Sequence, residues 1–513
     1  MFVRKKRNKS GSISVQIIDT SSGKPKLHRT IGSSYDPAEI ENLFQEGLRQ
    51  LARFTGQVPF AFEWQEDHWF LKSLQDGIRQ IQVIGPELVL GKLFDEIGFN
   101  QIKDELFRHL VIARLVFPLS KLKTTEYLMR YNGVHVDVEK IYRFLDKLND
   151  KHKEQVQQVS YCHTLKILGN TLSVVFYDVT TLYFEASQED ELRRIGFSKD
   201  NKAQNPQIVL GLLVSVNGYP LAYEMFEGNK FEGHTMLPIV EAFRKKYNLE
   251  KLVIVADAGL LMEENIQKLQ AGNYEFILGA RLKKETKKIR QEILSHEFED
   301  GKSIIVQKSE TIRLIVGYST ARAKKDAHNR ERGLKKLERA VKGGKLNKKH
   351  INNRGYNKYL KLQGDVTIAL DYEKYNEDAK WDGLKGYITN TALSPQEIMD
   401  NYKHLWKIEK AFRISKTDLR IRPIYHRLRH RIEAHLSIAF CAYKIYKELE
   451  RRLENEGAKL SPEKVIELTQ SIYALHIVLP KSQKKQQVIF ADEPNHQLLF
   501  KWFKIKIESL VTQ

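Results

Sequence analysis

Hydrophobic and polar positions divide this chain into stretches of different period. The opening segment, VRKKRNKSGSISVQIIDTSSGKPKLHRTIG, alternates like a short hairpin with a basic rim. From 87 to about 163 the apolar residues recur at helical spacing through LGKLFDEIGF, HLVIARLVFPLSKLKTTEYLMRY and VDVEKIYRFLDKLNDKH, separated by Pro, Gly and Asn breaks. A tight turn near Asn132-Gly133-Val134 fits a helix-turn-helix module and an ordinary helical bundle equally well. From Thr171 the texture becomes that of strands: LSVVFYDV, QIVLGLLVSV and PLAYEMF, the last two joined by the hairpin signal Asn217-Gly218-Tyr219. Helix 235–247, strand LVIVA, helix MEENIQKLQ and strand EFILGAR follow. Three meandering strands and then β-α-β predict a mixed sheet flanked by helices, the layout of a ribonuclease H-like α/β domain.

Between about 282 and 382 that rhythm breaks. SIIVQK, TIRLIVGYS, DVTIALDY and LKGYITN read as antiparallel strands around a very basic stretch, which predicts a β-rich insertion within the α/β domain. Ser394-Pro-Gln-Glu397 is then a capping box with Pro at the first helical position. Ile398, Tyr402, Leu405, Glu409, Phe412 and Lys416 step by four and three, predicting one helical face. A long helical region follows, RPIYHRLRHRIEAHLSIAFCAYKIYKELERRL, while the remainder carries little pattern. The expected division is a basic hairpin and helical region (1–165), the first part of the core (166–281), a basic β-rich insertion (282–382), core completion (383–453) and a C-terminal region of uncertain role (454–513).

Composition narrows the partner. At 513 residues, two to four domains are expected. No apolar run approaches the roughly 18 residues of a membrane span, and the basic start is followed by no apolar segment, so no membrane partner and no secretory signal are expected. Cys162 and Cys441 make neither a metal cluster nor a disulfide framework, which fits a reducing cytoplasm. The net charge of +20 implies a polyanionic partner. The basic residues cluster, fifteen Lys/Arg against three acids in 322–361 and eight against one in 4–29, although a solvated basic face has the same composition.

Three acids carry the chemistry. Asp178 and Asp257 each follow an apolar β-branched run, and ligands collect at the carboxyl ends of strands in open sheets. Glu409 stands on the predicted inward face of its helix, between Tyr402 and Lys416, each seven residues away and so roughly 10 Å along the axis. A carboxylate buried there is costly without a cation. Taken singly, each Asp is more often a turn or cap residue. Glu185, Glu232 and His234 lie near the same sheet, with second-rank site roles and capping roles equally open. Gly301-Lys302-Ser303 resembles a phosphate-loop ending, but His296 occupies the required first glycine. His426, His430 and His435 lack the Glu of a zinc-protease helix and are expected on a polar, DNA-facing helix.

The order Asp–Asp–long insertion–Glu, with Y-x2-L-W-x-I-E-x2-F-R-x2-K, resembles the DDE transposases of bacterial insertion sequences, in particular the group with a β-insertion before the catalytic Glu (the "insertion sequence four" superfamily). That group's signature reads Y-x2-R-x3-E-x6-K; Tyr402, Glu409 and Lys416 match, and Leu405 stands where the Arg is expected, with Arg413 or Lys403 as substitutes. Further similarity lies in GFSKDNKAQNPQIVLGLLV, FEGNKFEGHT and DAGLLMEENI, so the likeness runs over roughly 120–453. The resemblance implies that Asp178, Asp257 and Glu409 hold two Mg²⁺ (Mn²⁺ also suits) and that Tyr402, Lys416, Arg413 and Lys403 contact DNA. It further implies cleavage at terminal inverted repeats, joining of the freed 3′-hydroxyls to target DNA, a homodimer on the DNA ends, and a cytoplasmic, nucleoid-associated bacterial protein. A metal-dependent nuclease of the same fold and a non-catalytic DNA-binding protein are the alternatives.

Overall fold

The computed structural model describes residues 1–55, 61–148, 150–198, 202, 204–260, 262–344, 346–353, 355–363, 367–479 and 482–506. Lys199–Asn201 and Ala203 of the GFSKDNKAQ motif, Leu261 of DAGLLMEENI, and Lys345 and Arg354 of the basic stretch lie outside them. The chain forms two compact units, 1–81 with 474–489, and 82–473 with 490–513.

In the smaller unit the predicted hairpin is a three-stranded antiparallel sheet, β1 (Phe2–Arg7), β2 (Ile13–Asp19) and β3 (Lys26–Ser34). Its middle strand buries Val15, Ile17 and Ile18, while Arg4, Lys5, Lys6 and Arg7 stay exposed as the basic rim. Helices Pro37–Thr55 and Ala61–Gly77 lead to β4 (Ile78–Val83).

The larger unit is built on an eight-stranded mixed sheet. β5 (Val174–Tyr183), β6 (Gln207–Ser215) and β7 (Pro220–Glu227) form the expected antiparallel meander. Gly218, at φ +79°, closes its hairpin, its N–H donating a hydrogen bond to the Ser215 carbonyl. β8 (Val253–Ala256) runs parallel to β5, and β9 (Glu275–Ala280) runs parallel to β8. Every residue of β6 is buried, which explains its unbroken apolar run.

The stretch expected to be a β-rich insertion differs. β10 (Ser303–Gln307), β11 (Arg313–Tyr318) and β14 (Leu384–Thr389) join the main sheet, whose order is β10-β11-β14-β9-β8-β5-β6-β7; only the hairpin β12 (Leu360–Gln363) and β13 (Thr367–Leu370) stands apart. Most of the basic stretch is a helix, Thr320–Lys342. Ser319 caps it, opposite charges sit four apart at Arg322/Asp326 and Glu331/Lys335, and Gly333, Leu334 and Leu337 form its buried stripe. Leu337 packs with Tyr359 and Leu360 in a small apolar core of its own.

The 27-residue helix Arg429–Asn455 is the hub of the helical layer, packed against helices Glu105–Val116, Val138–Lys147 and Asp150–Ile167. This arrangement is the bundle reading of the 87–163 pattern. The C-terminal remainder also holds more structure than its sequence pattern conveys: helix Pro462–Thr469, β15 (Tyr473–Val478), β16 (Lys485–Phe490) and helix Pro494–Trp502, with β15 pairing β16 and β4. No helix among the described residues is long and apolar enough to cross a membrane.

Candidate active site

Parallel pairing of β5 and β8 sets the two aspartates. Tyr177 is registered against Ala256, so Asp178 and Asp257 are the next residues on adjacent strands. β8 ends there, and a short 3-10 turn, Ala258–Leu260, leads Asp257 out toward solvent. Asp178 is half-buried and accepts the amide of Val179 at 2.7 Å. Tyr177 points to the opposite face, where its hydroxyl donates to Thr235 Oγ1 at 2.8 Å.

The predicted single helix from Ser394 to Lys416 is two helices, Pro395–Lys403 and Trp406–Thr417. The capping box at Ser394 and Glu397 forms as expected. The break at His404-Leu405 separates Tyr402 from Glu409, so their seven-residue spacing is not one continuous stripe. Tyr402 is 5% exposed, whereas Glu409 is exposed rather than inward-facing. The first helix packs on β8, β9 and β10, and the second on β5.

Tyr402 links the first helix to the strand ends. Its hydroxyl donates to Asp257 Oδ1 at 3.0 Å. Burial, and then the Asp257 charge beside it, hold the phenol well above its ordinary pKa, so it remains a donor. Gly279 on β9 makes this reach possible, because a Cβ there would collide with the Tyr402 hydroxyl. Tyr387 on β14 lies edge-on to Tyr402 at 4.8 Å between ring centroids, and burial pushes its phenol up to about 12.

Lys385 is the residue that sequence reasoning missed. It extends from β14 with Nζ 4.4 Å from the centre of the Tyr402 ring. Burial and then Arg322 lower its pKa, while Asp257 and Glu409 both act in the opposite direction. It thus lies within the electrostatic reach of both acids. The available signal was a lysine among the apolar residues of LKGYITN, where a charge needs a reason to be.

The other expected residues are spread out. Lys403 is exposed and pairs with Asp400 at 2.8 Å; Arg413 is exposed, Lys416 half-buried and Leu405 buried. A Cβ at Gly259 would lie 3.7 Å from Glu232 Oε2 and 3.9 Å from Asp257 Oδ2, so these two carboxylates flank that turn. Glu185 and His234 are exposed, the latter ringed by Phe231. The histidines do not make a DNA-facing row: His435 is buried with Nε2 3.0 Å from the Ile421 carbonyl, and His430 meets Asp146. Their helix is the hub of the bundle, and its spacing serves packing. Among the described residues, no group of three or more His, Cys, Asp or Glu side chains is placed to hold a metal ion. Asp257 and Asp178 act on Tyr402, and Asp257 and Glu409 act on Lys385, so Asp257 is the acid common to both.

Comparison with curated proteins finds no match. Among solved structures, the chain is similar to a piggyBac transposase synaptic complex with hairpin DNA, at 10% identity and TM-score 0.36 over 75% of this chain and 76% of that one. It is also similar to a Mos1 transposase paired-end complex with the left transposon end, at 12% identity and TM-score 0.16 over 31% and 53%. Neither likeness is near enough to carry a conclusion. The family described as "Transposase DDE domain" matches residues 169–445, more than half of the chain and the whole span from β5 to the hub helix. On that match, the chain belongs to the DDE-domain transposase family.

Proposed function

We propose that this chain cleaves DNA at the ends of a mobile element and joins the freed 3′-hydroxyls to target DNA, with Asp178, Asp257 and Glu409 as its acidic triad. The observation that carries the reading is the register of Asp178 beside Asp257 on parallel strands, with Tyr402 donating to Asp257 and Lys385 in reach of both Asp257 and Glu409. The donor chemistry suits the group it would hold: hard carboxylate oxygens, on half-buried Asp178 and on exposed Asp257 and Glu409, match Mg²⁺ or Mn²⁺. When bound, a metal pair supplies activation of the attacking hydroxyl and stabilisation of the leaving oxygen. Tyr402 orients Asp257, and Lys385 supplies positive charge beside two acids, where a phosphodiester would also be attracted. Lys416, Arg413 and Lys403 are proposed DNA contacts on the same pair of helices, and the exposed basic faces extend the track. Joining two ends calls for two copies of the chain on DNA.

The test is incubation of the full chain with end-containing DNA, a target plasmid and Mg²⁺. Joined products are expected, and Asp178→Asn, Asp257→Asn and Glu409→Gln should each nearly abolish cleavage while end binding persists. Nicks without joined products would make the chain a nuclease, and binding without nicks would make it a pure binder.

A further inference from the structure

Apart from the acidic site, the larger unit holds a cavity of about 410 Å³ whose wall combines several cations with no carboxylate. It lies between the loop after helix Glu105–Val116, the helix carrying Tyr142, and the segment that connects the Glu409 helix to the hub helix. Arg114 and Lys121 are innermost, each only 6% exposed. Arg114 has one long bond, from Nη1 to the Leu419 carbonyl at 3.5 Å. Lys121 Nζ has no acceptor and no ion pair among the described residues, and the group that acts on its charge is Arg114, another cation. Arg420 and Arg422 line the outer wall.

Two histidines close the far side. His435 Nε2 faces the Ile421 carbonyl at 3.0 Å, so that nitrogen carries the proton, and buried Nδ1 has no partner among the described residues. His426 lies 5.6 Å from His435 and 6.2 Å from Tyr142, ring centre to ring centre. Burial, with Lys121 and Arg114 nearby, lowers the pKa of His426 to about 4.

Buried charges in folded proteins are paired, because an unpaired one costs several kcal/mol. Here two cations face the same cavity, with Lys123, Arg420 and Arg422 at its wall and nothing anionic in the lining, although Lys123 pairs with Glu126 beside it. Such a cluster has a reason to persist if an anion enters. We propose that the cavity binds a phosphate group of the DNA strand, with Arg114 and Lys121 as its inner ligands. An anionic occupant follows from the lining; its being a DNA phosphate rests on the transposase reading. Location supports that source. Ile424 pairs in parallel with Phe184, which directly follows β5 and stands six residues beyond Asp178, or roughly 20 Å of extended strand. The segment that lines the cavity is therefore tied by strand pairing to the end of the strand that carries Asp178.

Lys121→Met separates this proposal from a structural role, since it removes the charge and keeps most of the apolar stem. Wild-type protein should gain thermal stability as inorganic phosphate is added, and the resonances of His426 and His435 should shift with saturation. Without phosphate, Lys121→Met should melt no lower than wild type, and it should lose the phosphate response; Lys121→Arg should keep it. On end-containing duplex, Lys121→Met should bind about tenfold more weakly at moderate salt, with the salt slope reduced by about one unit. A variant that melts lower and still responds to phosphate would overturn the proposal, as would a wild type that does not respond. A lost phosphate response with unchanged DNA affinity would overturn the DNA source and leave a free-phosphate site. Failure of wild type to bind or cut DNA, with the phosphate response intact, would count against the transposase reading and not against the pocket.

Discussion

The Tyr402 hydroxyl donates to Asp257 Oδ1 across 3.0 Å, joining residues 145 apart in the chain. Tyr402 lies in a buried position and Asp257 at an exposed strand end, so the bond fixes a carboxylate that solvent would otherwise leave free to rotate. Tyr402→Phe keeps the ring against Tyr387 and removes only that bond. Unfolding in urea should show a loss of about 1–2 kcal/mol, typical of a bond to a charged acceptor. Cleavage should fall more than DNA binding does.

Gly279→Ala attacks the same contact from the strand side. Its Cβ would collide with the Tyr402 hydroxyl and lie 3.0 Å from the Ala258 amide nitrogen. A larger loss of cleavage than in Tyr402→Phe is expected, because the turn carrying Asp257 must also shift. Equal activity of Gly279→Ala and wild type in a nicking assay would show that this packing does not set the site.

Lys385→Met should lower cleavage by at least tenfold, whereas folding stability should hold or rise. Burial and Arg322 already work against the Lys385 charge, so its removal relieves a cost. Single-turnover cleavage beside a thermal melt distinguishes the two effects; a parallel fall in both would assign Lys385 to the fold.

The exposed face of helix Thr320–Lys342 offers Lys324, Lys325, Arg332 and Lys336, none of which makes an ion pair among the described residues. Replacing all four with Gln should reduce the slope of log affinity against log salt by about one unit for each phosphate no longer neutralised. An unchanged slope would mean that the face serves solubility alone.

Two half-buried histidines should make stability depend on pH. Burial lowers His163 and His426 to about 4, from an unfolded value near 6.5. His163 faces Lys444, Glu448, Arg451 and Arg452, and His426 faces Lys121, Arg114 and Arg431. Both stay neutral in the folded chain while the unfolded chain takes up protons, so their contribution is complete above pH 6.5 and is lost as pH falls toward 4. At pH 5 the loss should be about 2 kcal/mol per histidine. Urea midpoints of wild type at pH 7 and 5, compared with those of His426→Gln, measure it; the variant should lose less on acidification.

Strand ends and the helix cap are legible because their causes are local. VIVA followed by Asp-Ala-Gly marks a strand and its turn, and Ser394-Pro-Gln-Glu397 marks a helix start. The break after Lys403 is not legible. His404 and Leu405 keep near-helical angles (φ −69°, ψ −9° and φ −58°, ψ −28°), so the apolar rhythm passes through the break almost unchanged. The helix inside the basic stretch goes unread because the stretch lies between strand-like segments, although its i,i+4 charge spacings at Arg322/Asp326 and Glu331/Lys335 indicate a helix. Lys385 shows only as a charge in an apolar run, and what it and the buried cations meet is not legible, because most of their neighbours come from distant segments that no local period records.

The position of β14 sets when activity can begin. It enters the sheet between β9 and β11, so the β10–β11 hairpin has no place in the main sheet until residues 384–389 exist. It also brings Lys385 to the acids, and Tyr402 and Glu409 emerge from the ribosome later still. On the proposed reading, a growing chain therefore carries its basic N-terminal segments well before it has all three acids of the proposed cutting centre. Fragments ending ahead of residue 384 are expected to occupy DNA without nicking it, so premature termination would yield competitors of the full-length chain rather than stray nucleases.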